Sequence, residues 1–269
     1  MKYCDGCGEC VPVFTLQLNE QDYEAIGKLI THTFVSCQLF PVRLGEALIH
    51  YCLFNMVSDE CLLTSFLNML PPNDRNLLRI SLDDKSTHLN REQILDVLAD
   101  FNVTTLPTRE NLLSIVLNAA RLSLINKPLF FITNLRKGMG KFWDTVTVNE
   151  IRSLYESCVP SAARVLAVLD IKESCDVERK IRKWLIRFIR DASEMLLRRL
   201  VQFCTSLPML LPQRKISVSF VNQPQNHLRP IGATFFKILK LPRQYVSFAQ
   251  LRDNLEFYLT NIHFWKMTE

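Results

Sequence analysis

The chain has 269 residues with a net charge of +5, and 48% of them are hydrophobic and 22% charged. This composition is typical of a folded globular protein and excludes a disordered or fibrous chain, and the mild charge does not favour nucleic acid as a partner. No apolar run reaches the ~18 residues that span a bilayer, which predicts no membrane partner and a location in the cytoplasm, the nucleus or both.

The nine cysteines are an odd number, which predicts reduced and partly buried thiols instead of a disulfide scaffold. Cys4, Cys7 and Cys10 form a C-x-x-C-x-x-C pattern that could supply three soft ligands to zinc or an iron-sulfur cluster. A fourth ligand at a useful spacing is missing, so a frayed terminus carrying free thiols is the other interpretation. We therefore predict no metal site and no cofactor.

Helical periodicity dominates the first half of the sequence. Apolar residues recur at helical spacing over residues 21–54, with a break near Pro41, and again over residues 62–70. Asn90 is a candidate N-cap for another helix. A longer helix is predicted from Thr108 to about residue 125, closed by the prolyl segment that follows.

Residues 137–141 contain two glycines between lysines, but the spacing of a phosphate-binding loop is absent, so we predict a solvated turn. The sequence also lacks H-E-x-x-H and G-x-S-x-G, which leaves hydrolase interpretations without support. Helical patterns resume over residues 148–156 and 161–169. The polar segment 170–176 is the predicted linker between two lobes.

Residues 177–203 form the longest amphipathic stretch and predict two helices joined near residues 191–193. The polar side of this stretch, here called the basic face, consists of Arg179, Lys180, Arg182, Lys183, Arg187, Arg190, Arg198 and Arg199. Acidic residues dilute it, which favours a solvated helix face over a surface for nucleic acid or acidic proteins.

After residue 212 the apolar residues recur at every second position, which is typical of a half-buried strand. Ile216, Val218 and Phe220 form one face of this strand and alternate with Ser217, Ser219 and Val221 on the other. Residues 235–241 are the second candidate strand, and Ser247 is the predicted N-cap of a final helix. A helical first part followed by a mixed part indicates an α+β fold.

The last third of the chain carries a dense motif. It comprises Leu228-Arg229-Pro230-Ile231-Gly232-Ala233-Thr234-Phe235-Phe236-Lys237-Ile238-Leu239-Lys240-Leu241-Pro242 and then Tyr245-Val246-Ser247-Phe248. This order resembles the signature of HECT-type ubiquitin ligases: L-x-P, a histidine or asparagine, threonine, the catalytic cysteine, a strand ending in L-x-L-P, and Y-x-S before a helix. Shorter segments, among them residues 107–111 and 184–189, resemble the G2/M phase-specific ubiquitin-protein ligase group in particular.

The resemblance implies a bilobal fold, with a truncated, mostly helical N-lobe at residues 1–171 and a small mixed α/β C-lobe at residues 172–269. It also implies that ubiquitin and a ubiquitin-conjugating enzyme are partners. A full HECT domain is longer at its start, so we expect the opening part of the N-lobe to be missing.

In HECT ligases a cysteine thiolate accepts ubiquitin as a thioester before passing it to a substrate lysine. The resemblance places Phe235 at that cysteine, keeps Thr234, and places Ala233 where the family has a hydrogen-bonding residue. A phenyl ring has no lone pair with which to form a thioester, so the sequence predicts a degenerate active-site loop and a pseudoenzyme. The alternative is an active transferase with a displaced nucleophile such as Cys204.

Phe235 and Phe236 adjoin each other on the predicted strand, so one should point into the lobe and the other to the surface. A phenylalanine that stays exposed loses the stabilisation of roughly 2 kcal/mol that burial of its side chain would give. We therefore expect the loop to collapse into the core of the lobe, and the alternative is that a partner covers it.

Overall fold

A computed structural model describes residues 3–13, 15, 17–83, 90–211, 214–224 and 227–261. By its internal contacts the chain divides into two compact units, Met1–Tyr155 and Glu156–Glu269. The boundary predicted between the two lobes, after residue 171, lies later in the chain than this division. That lobe boundary stays a prediction.

The first unit starts with two short paired strands and continues as helices. Its elements are β1 (Cys4–Asp5), β2 (Val11–Pro12), α1 (Glu20–Cys37), α2 (Glu46–Phe54), α3 (Asp59–Met69), α4 (Pro72–Leu82), α5 (Arg91–Ala99), α6 (Leu112–Arg121), α7 (Leu129–Met139) and most of α8 (Val148–Cys158). The helices predicted around Pro41 and over residues 62–70 are confirmed as α1, α2 and α3. Asn90 caps α5, since its Oδ1 accepts a hydrogen bond from the Gln93 amide at 3.3 Å.

The segment that contains the first three cysteines is tied to the helices behind it. The Cys7 amide donates to the Met69 carbonyl at 2.9 Å, and the Cys10 amide donates to the Arg43 carbonyl at 2.6 Å. Backbone amides need such partners, and here the end of α3 and the turn before α2 supply them. The interpretation of this segment as a frayed terminus is therefore wrong.

The helix predicted from Thr108 to residue 125 is interrupted before its end. Regular α6 stops at Arg121, and Leu122–Asn126 forms a π-helical turn in which the Lys127 amide donates to the Leu122 carbonyl at 2.9 Å. Pro128 then precedes α7 instead of ending the helical region, because a proline needs no amide donor at the start of a helix.

α1 and α7 cross at backbone distance through two glycines. A Cβ atom on Gly27 would lie 2.3 Å from the Leu135 carbonyl oxygen, and one on Gly138 would lie 1.9 Å from the Glu24 carbonyl oxygen. Residues 137–141 therefore do not form the solvated turn that the sequence predicts. They include the last turn of α7. Gly138, one of the two glycines that gave the likeness to a phosphate-binding loop, allows α7 to pack closely against α1.

Among the described residues, no single helix has both the length and the apolar composition that crossing a bilayer requires. Two consecutive helical segments, Leu112–Asn126 and Leu129–Met139, reach that length and composition only when taken together, and they are bent by 51° relative to each other. Core helices of soluble proteins have the same length and composition.

The second unit is a mixed sheet covered by helices. Its elements after α8 are α9 (Ala162–Val168), β3 (Leu169–Ile171), α10 (Asp176–Asp191), α11 (Glu194–Thr205), β4 (Ile216–Val221), β5 (Ile231–Ala233), β6 (Ile238–Pro242) and α12 (Phe248–Thr260). The strand order is β3-β4-β6-β5, with β5 antiparallel to β6 and the other pairs parallel. Together the two units confirm the α+β class.

Several local predictions for this unit are confirmed. The break near residues 191–193 separates α10 from α11, and Ser193 caps α11 through a hydrogen bond from the Leu196 amide. Ser247 caps α12 in the same way. Ile216, Val218 and Phe220 of β4 face the core, where they pack with α10, α11 and α12.

The polar segment 170–176 is not a free linker, because it starts inside the sheet. Asp170 and Ile171 belong to β3 and pair in parallel with Ser217 and Val218 of β4. A three-residue strand of this kind depends on pairing with a distant segment, so its own composition does not predict it.

We predict that Gly138→Ala destabilises the first unit, since the added methyl group meets the backbone of Glu24 and one helix must shift. Overpacking of this type costs typically about 1–3 kcal/mol. Thermal denaturation followed by circular dichroism should show a clear loss of stability. Gly45→Ala is the control, because its Cβ would meet its nearest atom at 3.5 Å; equal effects of the two substitutions would contradict the close helix crossing.

Candidate functional site

The β5–β6 hairpin contains all three residues predicted for the degenerate active-site loop. Ala233 is the last residue of β5 and pairs with Ile238, the first residue of β6. Thr234 and Phe235 lie in the connection between the strands, which closes through a hydrogen bond from the Lys237 amide to the Thr234 carbonyl at 3.3 Å. The structure thus brings the three residues together at one end of the sheet.

β5 is held against α11 by direct backbone contact. A Cβ atom on Gly232 would lie 2.0 Å from the Phe203 carbonyl oxygen, so only glycine allows this approach. On the other side of the hairpin, the Ser217 amide of β4 donates to the Lys237 carbonyl at 2.9 Å. The base of the hairpin is therefore fixed on both sides.

The two phenylalanines at the tip of the hairpin are both exposed, Phe235 by 88% and Phe236 by 70%. Their rings contact each other edge to face, with centroids 5.0 Å apart. The expectation that one ring points inward is wrong, as is the expected collapse into the core. The strand begins only at Ile238, so the alternation of a strand does not apply to residues 235 and 236.

Lys237 is a part of this site that the sequence did not single out. Lys237 has a positive φ of 54°, the left-handed conformation that allows a short connection to turn back into the next strand. The signal available was the spacing: only four residues separate Ala233 from Ile238, too few to continue both strands.

Cys204, the alternative nucleophile, lies inside the core of the second unit. Its exposure is 1%, and burial raises the pKa of its thiol to about 12. At neutral pH the thiol is protonated and shielded, whereas nucleophilic attack requires an accessible thiolate. The structure therefore does not favour the displaced-nucleophile alternative.

The basic face is occupied by local interactions along α10 and α11. Four of its six arginines form ion pairs with neighbouring acidic residues, and the pairs are Arg179–Asp176 at 2.8 Å, Arg182–Glu173 at 3.2 Å, Arg187–Asp191 at 3.5 Å and Arg198–Glu194 at 2.8 Å. Lys180 lies over the Trp184 ring and Arg187 over the Phe248 ring. These contacts reduce the charge available to a polyanion.

A buried ion pair fixes the chain just after β6. Glu178 of α10 is 2% exposed and accepts a hydrogen bond from the Ser174 amide at 2.6 Å and another from Arg243 Nε at 2.7 Å. The Ser174 amide, with help from Arg243, lowers the pKa of the Glu178 carboxyl group. The end of β6 opposite the hairpin is therefore anchored to α10.

We predict that Phe235→Ala leaves the second unit as stable as before, with a change of less than about 0.5 kcal/mol, because the ring contributes little burial. Leu239→Ala, one strand position inside the sheet and 1% exposed, should cost about 2–5 kcal/mol. Hydrogen exchange in peptides that cover β4 and β6 measures both effects. A loss of protection with Phe235→Ala comparable to that with Leu239→Ala would show that the ring is part of the core.

We also predict the order in which the thiols react with iodoacetamide in the native protein. Cys7 and Cys37 are exposed and should be alkylated first, while Cys204 should react only after denaturation. Mass spectrometry of proteolytic peptides gives the extent of modification at each cysteine. Modification of native Cys204 as fast as that of Cys37 would restore it as a candidate nucleophile.

The family model described as HECT-domain (ubiquitin-transferase) matches residues 5–267. No curated protein sequence matches the chain significantly. The family match spans nearly the full sequence, including the hairpin of Ala233, Thr234 and Phe235. The chain is therefore a member of the HECT-domain (ubiquitin-transferase) family.

Proposed function

We propose that this HECT-family protein forms no ubiquitin thioester and acts as a binding or regulatory module in the ubiquitin pathway. The observation that carries the proposal is the residue at the tip of the hairpin. An exposed phenyl ring lies where the family motif places a cysteine, and residues 228–248 contain no thiol.

The missing step is transthiolation. A cysteine thiolate would attack the carbonyl carbon of the thioester between ubiquitin and the conjugating enzyme, and the thiolate of that enzyme would leave with the electron pair of the broken bond. Phe235 offers no lone pair for the new bond. The substitution therefore removes the covalent intermediate, and a slower version of the same mechanism does not remain.

Binding, unlike thioester formation, requires no thiol at position 235. Family membership supports ubiquitin and ubiquitin-conjugating enzymes as the general kind of partner. The exposed pair of Phe235 and Phe236 adds an apolar tip, and aromatic side chains of this kind are enriched among residues that dominate interface energies. We propose that a partner from this pathway covers the tip, and that the protein competes with active relatives for it.

The finer assignment rests on the sequence motifs. We propose membership of the G2/M phase-specific ligase group, a bilobal layout with lobes at residues 1–171 and 172–269, and a location in the cytoplasm, the nucleus or both. The segment Trp184-Leu185-Ile186-Arg187-Phe188-Ile189 supports the group, and the order of helical and mixed elements supports the lobes.

The decisive experiment is a ubiquitin-loading assay with ubiquitin, activating enzyme and a panel of conjugating enzymes. The natural sequence and the control Phe235→Ala should give no adduct that reductant removes. Phe235→Cys, with and without Ala233→His, should gain such an adduct because the sulfur then stands at the exposed tip.

A reductant-sensitive adduct on the natural sequence that disappears with Cys204→Ala would overturn the proposal. The binding role is measured separately, by titration of the protein with ubiquitin and with conjugating enzymes. A double substitution of Phe235 and Phe236 by alanine should weaken binding by about 10-fold or more if the tip is an anchor of the interface.

A further inference from the structure

A group of potential metal ligands lies within the first unit, away from the sequence motifs. Among the residues that the structure describes, one set of His, Cys, Asp and Glu side chains has ligand atoms within 4.8 Å of one another, and it consists of Glu46, His50 and Cys61. Glu46 and His50 are one helical turn apart on α2, and Cys61 lies in the first turn of α3. Two packed helices therefore supply three donors of the types that zinc accepts.

His50 provides an independent indication of a ligand. Its side chain is only 3% exposed, and its Nε2 atom is buried without a hydrogen-bond partner. Buried polar atoms are almost always satisfied, so this nitrogen needs an explanation. It lies 3.5 Å from Glu46 Oε1. A tetrahedral zinc ion with bonds of about 2.0–2.1 Å holds nitrogen and oxygen ligands roughly 3.4 Å apart, so this pair already has the required separation.

The surroundings of the group are negatively charged. Two carboxyl groups lie at the group, since the buried Glu9 places its Oε2 2.8 Å from the amide nitrogen of Glu46. The same two carboxyl groups, after burial, raise the pKa of Tyr155. A divalent cation would compensate the local negative potential.

Glu9 holds the two helices in place around the group. Its Oε2 accepts from the Glu46 amide at 2.8 Å and from Ser65 Oγ at 2.6 Å, and its Oε1 accepts from Asn68 Nδ2 at 2.9 Å. These bonds join the start of α2 to the middle of α3. Supporting contacts of this kind fix ligand geometry in metal sites.

We infer that Glu46, His50 and Cys61 bind one zinc ion, with a fourth position open to water or another donor. On binding, the Cys61 thiol loses its proton to solvent and the sulfur pairs with the metal, so affinity falls as pH falls. The site lies apart from the hairpin in sequence and does not depend on the thioester chemistry. Arg152 opposes the cation, but its guanidinium is 41% exposed and lies 3.9 Å from Glu60 Oε2, which offsets part of its charge.

The sequence alone does not show that these three residues lie together. Its only local signal is the Glu46-x-x-x-His50 spacing, since α2 and α3 are separate in sequence and Cys61 is one of nine cysteines. The sequence instead directed attention to Cys4, Cys7 and Cys10, which the structure does not bring within the same 4.8 Å limit in its described part.

The test uses the full chain with Cys4, Cys7 and Cys10 changed to serine, so that the accessible thiols of that segment do not bind zinc. Titration with zinc against a chromophoric chelator should give one bound ion per chain. Cobalt in place of zinc should give thiolate-to-metal charge-transfer absorption. Cys61→Ala and Glu46→Gln should each lower zinc affinity by at least about 10-fold, the smallest loss typical even of an outer-shell partner.

Cys52→Ala is the matched control. Cys52 is also buried, also has a pKa raised to about 12, and lies on α2 outside the ligand group. Its removal should leave zinc affinity and the cobalt spectrum unchanged. Near-ultraviolet circular dichroism verifies that each variant is folded, and Glu46→Gln decides if Cys61→Ala does not fold. Absence of zinc binding by the folded chain, or undiminished binding by Cys61→Ala and Glu46→Gln, would overturn the inference.

Discussion

The backbone contact between Gly232 of β5 and Phe203 of α11 determines how the end of the sheet is presented. Because no side chain fits between them, β5 is held at the surface of the helix, and its pairing with β6 continues to Ala233. The four residues that follow are too few to fold back over a core that is already filled. Phe235 and Phe236 therefore project from the sheet, although burial would favour them by roughly 2 kcal/mol each.

Exposure at position 235 thus follows from the strand pairing and does not depend on which residue is there. A side chain at this position is therefore accessible to a large partner, as the 88% exposure of Phe235 shows. With phenylalanine in that position, the same geometry presents an apolar surface and no reactive atom. Different residues therefore control the shape of the hairpin and the chemical character of its tip.

The sequence predicted elements that depend on local signals and failed where distant contacts decide. Asn90 and Ser247 were recognisable as N-caps because a capping side chain satisfies amides within three residues. The residues of β3 gave the prediction of a linker because the strand that pairs with them is distant in sequence. Leu169 of β3 pairs with Ile216 of β4, more than forty residues later. At the hairpin, two β-prone phenylalanines suggested a longer strand, and the pairing of β5 with β6, which no local pattern encodes, made them a turn.

Cys204 and Cys61 show that burial by itself does not determine what a thiol can do. Each has a pKa raised to about 12, so neither is a thiolate at neutral pH. For Cys204 the cause is burial in the core of the second unit. Around Cys61 the causes are burial and then Glu46 and Glu9, and a ring nitrogen of His50 lies within 4.8 Å of the sulfur. The charges that disfavour a free thiolate there also favour a divalent cation, and a bound cation would in turn stabilise the thiolate. The same high pKa therefore indicates an inert packing residue in one unit and a candidate ligand in the other.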